Sequence, residues 1–151
     1  MTGLFTQSVQ AIMIRDLDKL AEELALYPNE ESVWKITGLI KNPGGNLCLH
    51  LCGNLQHFIG TVLGKTSYVR NRDAEFSTRN VPRAKLLEEI SQTKKTLEAT
   101  LPALTEDQLK ANFPMDVLGK PMATLFFLIH LSAHLEYHLG QVNYHRRLVG
   151  S

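Results

Sequence analysis

LeuIleHisLeuSerAlaHisLeuGluTyrHisLeuGlyGln, residues 128–141, decides the fold. At about 100° per residue, with His130 as zero, Phe126, Phe127, Leu128, Leu131, Leu135, Tyr137, Leu139 and Val142 cover an arc from roughly −40° to 180°. Ser132, Glu136 and Asn143 fall at roughly 200–240°. This pattern predicts a helix with a broad apolar face toward a core. His134, near 40°, and His138, near 80°, lie inside that arc, so both imidazoles are expected to point inward.

Outward from this stretch, Pro121 can open the helix and Arg147 lies near its end. Residues 4–27 carry Leu4, Val9, Ile12, Leu17, Leu20, Leu24 and Leu26 at helical spacing and stop at Pro28. Residues 29–45 mix β-branched residues with a Pro-Gly-Gly ending and read as a connection with a short extended piece, anchored by Trp34. A second helix is expected from Asn46, as N-cap, to Gly64, and the charged stretch 68–76 reads as loop. Pro82 can open a third helix with Leu86, Leu87, Ile90, Leu97 and Leu101 on one face. Thr105 to Leu109 fits one short capped turn, and residues 112–121, with two prolines, cross the surface as loop. Four long amphipathic segments predict a single domain over 1–151, an all-α four-helix bundle.

At 151 residues the chain is long enough for one well-buried core. Sixteen basic and fifteen acidic residues give a formal net charge of +1. No broad field points to nucleic acid or an anionic membrane, and small molecules are the expected partners. No window approaches the apolar length of a membrane span, and the N-terminus has no signal pattern, so a soluble, cytoplasmic protein is expected. Cys48 and Cys52, four apart on one expected helix, read as free thiols in a reducing compartment.

Two inward imidazoles one helical turn apart can converge on a metal ion, since their Cβ atoms are about 5–6 Å apart. A third ligand has to come from another helix. His50 is the best candidate, because it sits in an otherwise apolar segment, and Asn54, one turn on, can line the same pocket. Any single inward histidine is more often a core residue bonded to a carbonyl. Three buried imidazoles all need partners, which one ion supplies together. His130, one turn before His134, is a rival ligand, and His57 replaces His50 if the register of the second helix slides. His145, near the chain end, reads as a capping or surface residue. Three neutral ligands leave an open coordination position, as in catalytic rather than structural zinc sites. Imidazole suits several divalent ions, of which zinc and nickel are the first choices.

Other chemistries fail on geometry. HisLeuGluTyrHis is not the metalloprotease HisGluXaaXaaHis, because Glu136 is about 200° around the helix from His134. No GluXaaXaaHis pair of a di-iron bundle occurs in this helix. Cys48 and Cys52 lie roughly 160–200° from His50 and are not expected as co-ligands. No phosphate loop or serine nucleophile elbow is present.

HisLeuCysGlyAsn at 50–54, ArgAsnArgAspAlaGluPhe at 70–76 and HisXaaXaaXaaHisXaaGlyGln at 134–141 occur in that order. The sequence thereby resembles the DinB/YfiT-like superfamily of metalloenzymes over nearly the whole chain. That resemblance implies an up-down-down-up topology, metal ligands at His50, His134 and His138, and a homodimer. The superfamily includes bacillithiol transferases and mycothiol-dependent maleylpyruvate isomerase, which implies a low-molecular-weight thiol as co-substrate. Arg70 and Arg72 are then candidates for holding the thiol's carboxylates, with pairing to Asp73 and Glu75 as the alternative. Gln141 is a candidate for orienting the ligand or a bound water, with the Gly-Gln step serving close helix packing as the alternative. The competing functions are a metal-dependent thiol transferase, a non-catalytic dimeric stress-response bundle pinned by metal or histidines, and a metal-free small-molecule binder.

Overall fold

A computed structural model describes residues 3–150. The α-helices are α1 Leu4–Leu26, α2 Gly44–Leu55, α3 Arg72–Ser77, α4 Arg83–Thr100, α5 Glu106–Lys110 and α6 Thr124–Val149. Wider π-helical turns continue α2 through Gln56–Leu63, ending where the Gly64 amide donates to the Ile59 carbonyl at 2.9 Å. Among the described residues there is no β-strand. The extended piece expected in residues 29–45 is a 3-10 turn, Glu31–Trp34, followed by one isolated bridge between Thr37 and Ile40.

Cross-helix contacts fix the topology. Asn143 and Arg146 on α6 bond Glu23 on α1, and Glu136 approaches Arg15, so α1 and α6 run parallel. Lys94 on α4 pairs with Asp18, and Arg83 donates to the Ala25 carbonyl, so α4 runs against α1. Phe58 stacks edge-on to Phe127, while His50 lies beside His134 and His138, so α2 runs against α6. The four long helices therefore form an up-down-down-up bundle. Leu17, Leu51, Leu86, Leu97 and Leu135 are each fully buried between them. Thr105 caps α5 reciprocally with Gln108, as expected from ThrGluAspGln.

Three expectations about where helices begin are corrected. Asn46 does not cap the second helix, which starts at Gly44 behind Pro43. The Pro-Gly-Gly stretch is used for close packing instead: a Cβ at Gly45 would lie 2.7 Å from the Trp34 ring. Buried Asn46 donates to the carbonyls of Glu75 and Thr78 and accepts from Arg79, tethering the segment around α3. That segment is the second correction, because part of the expected charged loop is a six-residue helix capped by the Asn71 side chain on the Ala74 amide. The third concerns the last helix, which begins at Thr124 rather than Pro121 and reaches Val149.

The buried arc of α6 is also narrower than its apolar arc. Phe127, Leu131, Leu135, Val142 and His145 are buried, whereas Phe126 and Tyr137, expected inward, are 54% and 65% exposed. His134 and His138 are half-buried, on the side of this arc that faces α2. His145 is no surface residue. It is 2% exposed, and Nδ1 lies 2.6 Å from the Tyr27 hydroxyl and 3.2 Å from the Gly44 amide. Its Nε2 donates to the Lys35 carbonyl at 2.8 Å. The connection between α1 and α2 folds over it, and burial lowers its pKa.

Candidate metal centre

α2 contributes His50, and α6 contributes His134 and His138. Each offers one ligand nitrogen, and the three nitrogens lie within 4.8 Å of one another. His50 Nε2 and His134 Nε2 are 3.2 Å apart. Two nitrogens bound to one tetrahedral ion at about 2.0–2.1 Å are themselves about 3.3 Å apart, so this spacing matches two ligands of one ion. The His50 ring is steeply inclined to those of His134 and His138, at 78° and 89°, and the latter two meet at 86°. Every pair presents an edge rather than a face.

Hydrogen bonds around the cluster set the tautomers. A carboxylate only accepts, so the 3.0 Å contact between His50 Nδ1 and Glu75 Oε1 places the proton on Nδ1 and leaves Nε2 with its lone pair toward the site. Gln141 Oε1 accepts from His138 Nδ1 at 2.6 Å, with the same consequence for that ring. Such outer partners orient metal-binding imidazoles and raise their basicity. His134 differs, because its Nδ1 is buried without a partner. Two facing Nε2 lone pairs repel each other unless a proton or a cation lies between them. A cation satisfies both at once, and the donor set of three imidazoles fits zinc or nickel.

Burial, followed by the neighbouring His138, His50 and His130, lowers the His134 pKa to about 4. Burial is also the largest cause of the lowered His138 pKa. Both rings are therefore held neutral, the form a metal requires. Burial alone would raise the Glu75 pKa, but the hydrogen bonds from His50 and Arg70 outweigh it and keep the carboxylate ionised.

Glu75, which no spacing rule marks as functional, joins two of the sequence motifs. Arg70 holds it from Nε at 2.9 Å and from Nη2 at 3.0 Å, and both side chains are nearly buried. Its approach depends on Gly53, where a Cβ would lie 2.7 Å from Glu75 Cδ and nearer still to Oε2. HisLeuCysGlyAsn thus supplies one histidine of the cluster and the gap beside it, while ArgAsnArgAspAlaGluPhe supplies the carboxylate that fills the gap. The signal in the sequence was a glycine inside an apolar helix, but its partner lies 22 residues on.

The remaining candidates are dispersed. Arg70 spends Nε and Nη2 on Glu75, and its guanidinium lies 5.6 Å from the Phe58 ring centre. Arg72 is exposed and lies over Phe76. His130 stacks beside His134 and His57 edges onto Phe58, and neither belongs to the three-nitrogen group. Cys48 and Cys52 are buried and free. A Cβ at Gly140 would meet nothing within 4 Å, so that glycine does not serve close packing within the chain.

Fold and cluster together define a helical-bundle protein with a three-histidine site capable of holding a divalent metal. The sequence profile of the DinB superfamily matches residues 11–142, and the chain belongs to that superfamily. None of the curated proteins matches it.

Proposed function

We propose that the protein is a metal-dependent enzyme that activates a low-molecular-weight thiol for transfer to a small electrophilic substrate. The observation that carries this reading is the set of three imidazoles with their ligand nitrogens within 4.8 Å of one another. His50, His134 and His138 would hold zinc or nickel, and because imidazole binds a metal in its neutral form they would leave the ion's charge for a fourth, exchangeable ligand. A bound ion would lower the pKa of a thiol placed there, making the thiolate available near neutral pH. Its sulfur would then form a carbon–sulfur bond with the electrophile, either displacing a leaving group that departs with its bonding pair and takes up the proton the thiol released, or adding to an activated double bond whose π pair takes up that proton. Gln141 and Glu75 keep the ligand lone pairs aimed inward. Arg72, together with the edge of Arg70 not used by Glu75, would take the carboxylates of the thiol or substrate.

No helix among the described residues is long and apolar enough to cross a membrane, and a cytoplasmic location with a reducing thiol pool accords with the two free cysteines. The active form would be a homodimer. Phe126, Ile129, Tyr137, Tyr144 and Leu148 are 49–72% exposed along one side of α6, a continuous apolar stripe that a second copy can cover.

Thiol consumption by the untagged, zinc- or nickel-loaded protein, followed against a panel of electrophiles with bacillithiol, mycothiol or glutathione, tests the activity. Metal-dependent turnover abolished in His134→Ala is expected. A fully loaded protein that turns over none of them would instead support a non-catalytic metal-pinned bundle.

A further inference from the structure

Among the described residues, three buried side-chain polar atoms lack a hydrogen-bond partner: Asp16 Oδ2, Asn54 Oδ1 and His134 Nδ1. Asp16 is still anchored, through Oδ1, by Arg15. The other two are on the two helices that form the histidine cluster, His134 within it and Asn54 one turn from His50. Asn54 is 7% exposed and sits one turn beyond His50, about 40° around α2 from it.

The antiparallel pairing of α2 and α6 fixes its level. His50 is beside His134 and His138, and Phe58 is beside Phe127. Asn54, midway between His50 and Phe58, is therefore level with the turn from His130 to His134. Side chains on a helix lean toward its N-terminus, which tips the His134 ring toward that same level.

The two orphans are chemically complementary once an ion is present. When His134 Nε2 gives its lone pair to a metal, its one proton must sit on Nδ1, a buried donor in need of an acceptor. Asn54 Oδ1 is a buried acceptor in need of a donor. We propose that Asn54 is the outer hydrogen-bond partner of His134 in the metal-loaded protein, directly or through one water. This rests on the metal-site reading above and completes its pattern, with Glu75 on His50, Gln141 on His138 and Asn54 on His134. Asn54 is thus a positioning residue, unpaired until metal selects the His134 tautomer.

Zinc affinity is measured by competition with a chromophoric chelator on wild type, Asn54→Ala and Asn54→Asp. Long-range 1H–15N spectra of the zinc-loaded forms report the His134 tautomer and the exchange of its ring proton. Loss of an outer partner typically weakens metal binding 10–100-fold. Asn54→Ala is expected to show such a loss with a fast-exchanging Nδ1 proton, while Asn54→Asp, which keeps an acceptor, binds zinc at least as tightly as wild type to within a few-fold. Without metal, Asn54→Ala is expected to lose only the packing of the truncated side chain and no hydrogen bond to Oδ1, which has no partner in that state. Wild-type affinity and an unchanged His134 signature in Asn54→Ala would overturn the inference alone. No zinc binding by wild type would overturn it together with the metal-site reading.

Discussion

Replacing Gly53 with alanine separates two effects of opposite sign. In a helix interior alanine is favoured over glycine by about 1 kcal/mol, so local propensity alone predicts a more stable protein. The packing predicts the reverse. The new Cβ would stand 2.7 Å from Glu75 Cδ, and closer to Oε2, whereas carbon atoms come into favourable contact only at about 3.5 Å. The carboxyl carbon therefore has to retreat by about 0.8 Å. Glu75 is held on both oxygens, by His50 at 3.0 Å and by Arg70 at 2.9 and 3.0 Å. A shift of that size breaks at least one of these bonds. Losing a hydrogen bond to a charged group costs about 1.5–3 kcal/mol, and an unpaired buried charge costs more. Set against the propensity gain of about 1 kcal/mol, the loss of one such bond leaves a net cost of about 0.5–2 kcal/mol, or a fall in Tm of about 1–8 °C for a domain of this size. Metal affinity should fall 10–100-fold as His50 loses its orientation. Urea and thermal unfolding of the metal-free protein, followed by zinc competition titrations, measure both. Gly140→Ala is the control, since its Cβ meets nothing within 4 Å. It should raise stability by about 0.5–1 kcal/mol. A Gly53→Ala protein that gained stability as Gly140→Ala does, with unchanged zinc affinity, would refute the proposed coupling between the motifs.

Two further predictions concern regions away from the three-histidine cluster. Because burial lowers the His145 pKa below its ordinary 6.5, the folded chain binds fewer protons there than the unfolded chain as the pH falls below that value. Its contribution to stability is thus fully present above about pH 6.5 and is lost as the pH falls through the lowered folded-state pKa. In metal-free protein, His145→Gln should show a flatter dependence of Tm on pH between about 6.5 and 5 than wild type; equal slopes would show that His145 carries no such linkage. Along α6, Phe126→Asp combined with Tyr144→Asp should convert a sedimenting dimer to monomer while changing the far-UV spectrum little, since both side chains are more than half exposed. A wild-type chain that sediments as monomer at 100 µM, or a variant that stays dimeric, would remove α6 as the interface.

The long helices were legible because their apolar residues recur at a 3.6-residue period and because Pro28, Pro82 and Gly64 mark their ends. His134 and His138 were legible as a pair for the same reason, one turn apart on a helix whose length was plain. The breadth of the α6 apolar face misled at Phe126 and Tyr137, since periodicity records that a side chain is apolar and not which surface covers it. Asn46 was misplaced because an asparagine before an apolar run satisfies a capping rule equally well when its amide instead binds carbonyls 29 and 32 residues away. The Arg72–Ser77 helix is too short to show a period. His145 and Glu75 owe their roles to chain segments that only the tertiary fold brings over them, the α1–α2 connection in one case and the gap at Gly53 in the other.

His50, His134 and His138 are proposed to hold one divalent metal ion. Elemental analysis of the purified, untagged wild type beside His50→Ala, His134→Ala and His138→Ala tests it most directly. About one zinc or nickel per chain is expected in wild type, with each variant losing most of it after dialysis. Wild type without stoichiometric metal would show that the cluster holds no ion, and metal retained in His50→Ala but lost in His57→Ala would move the third ligand from His50 to His57.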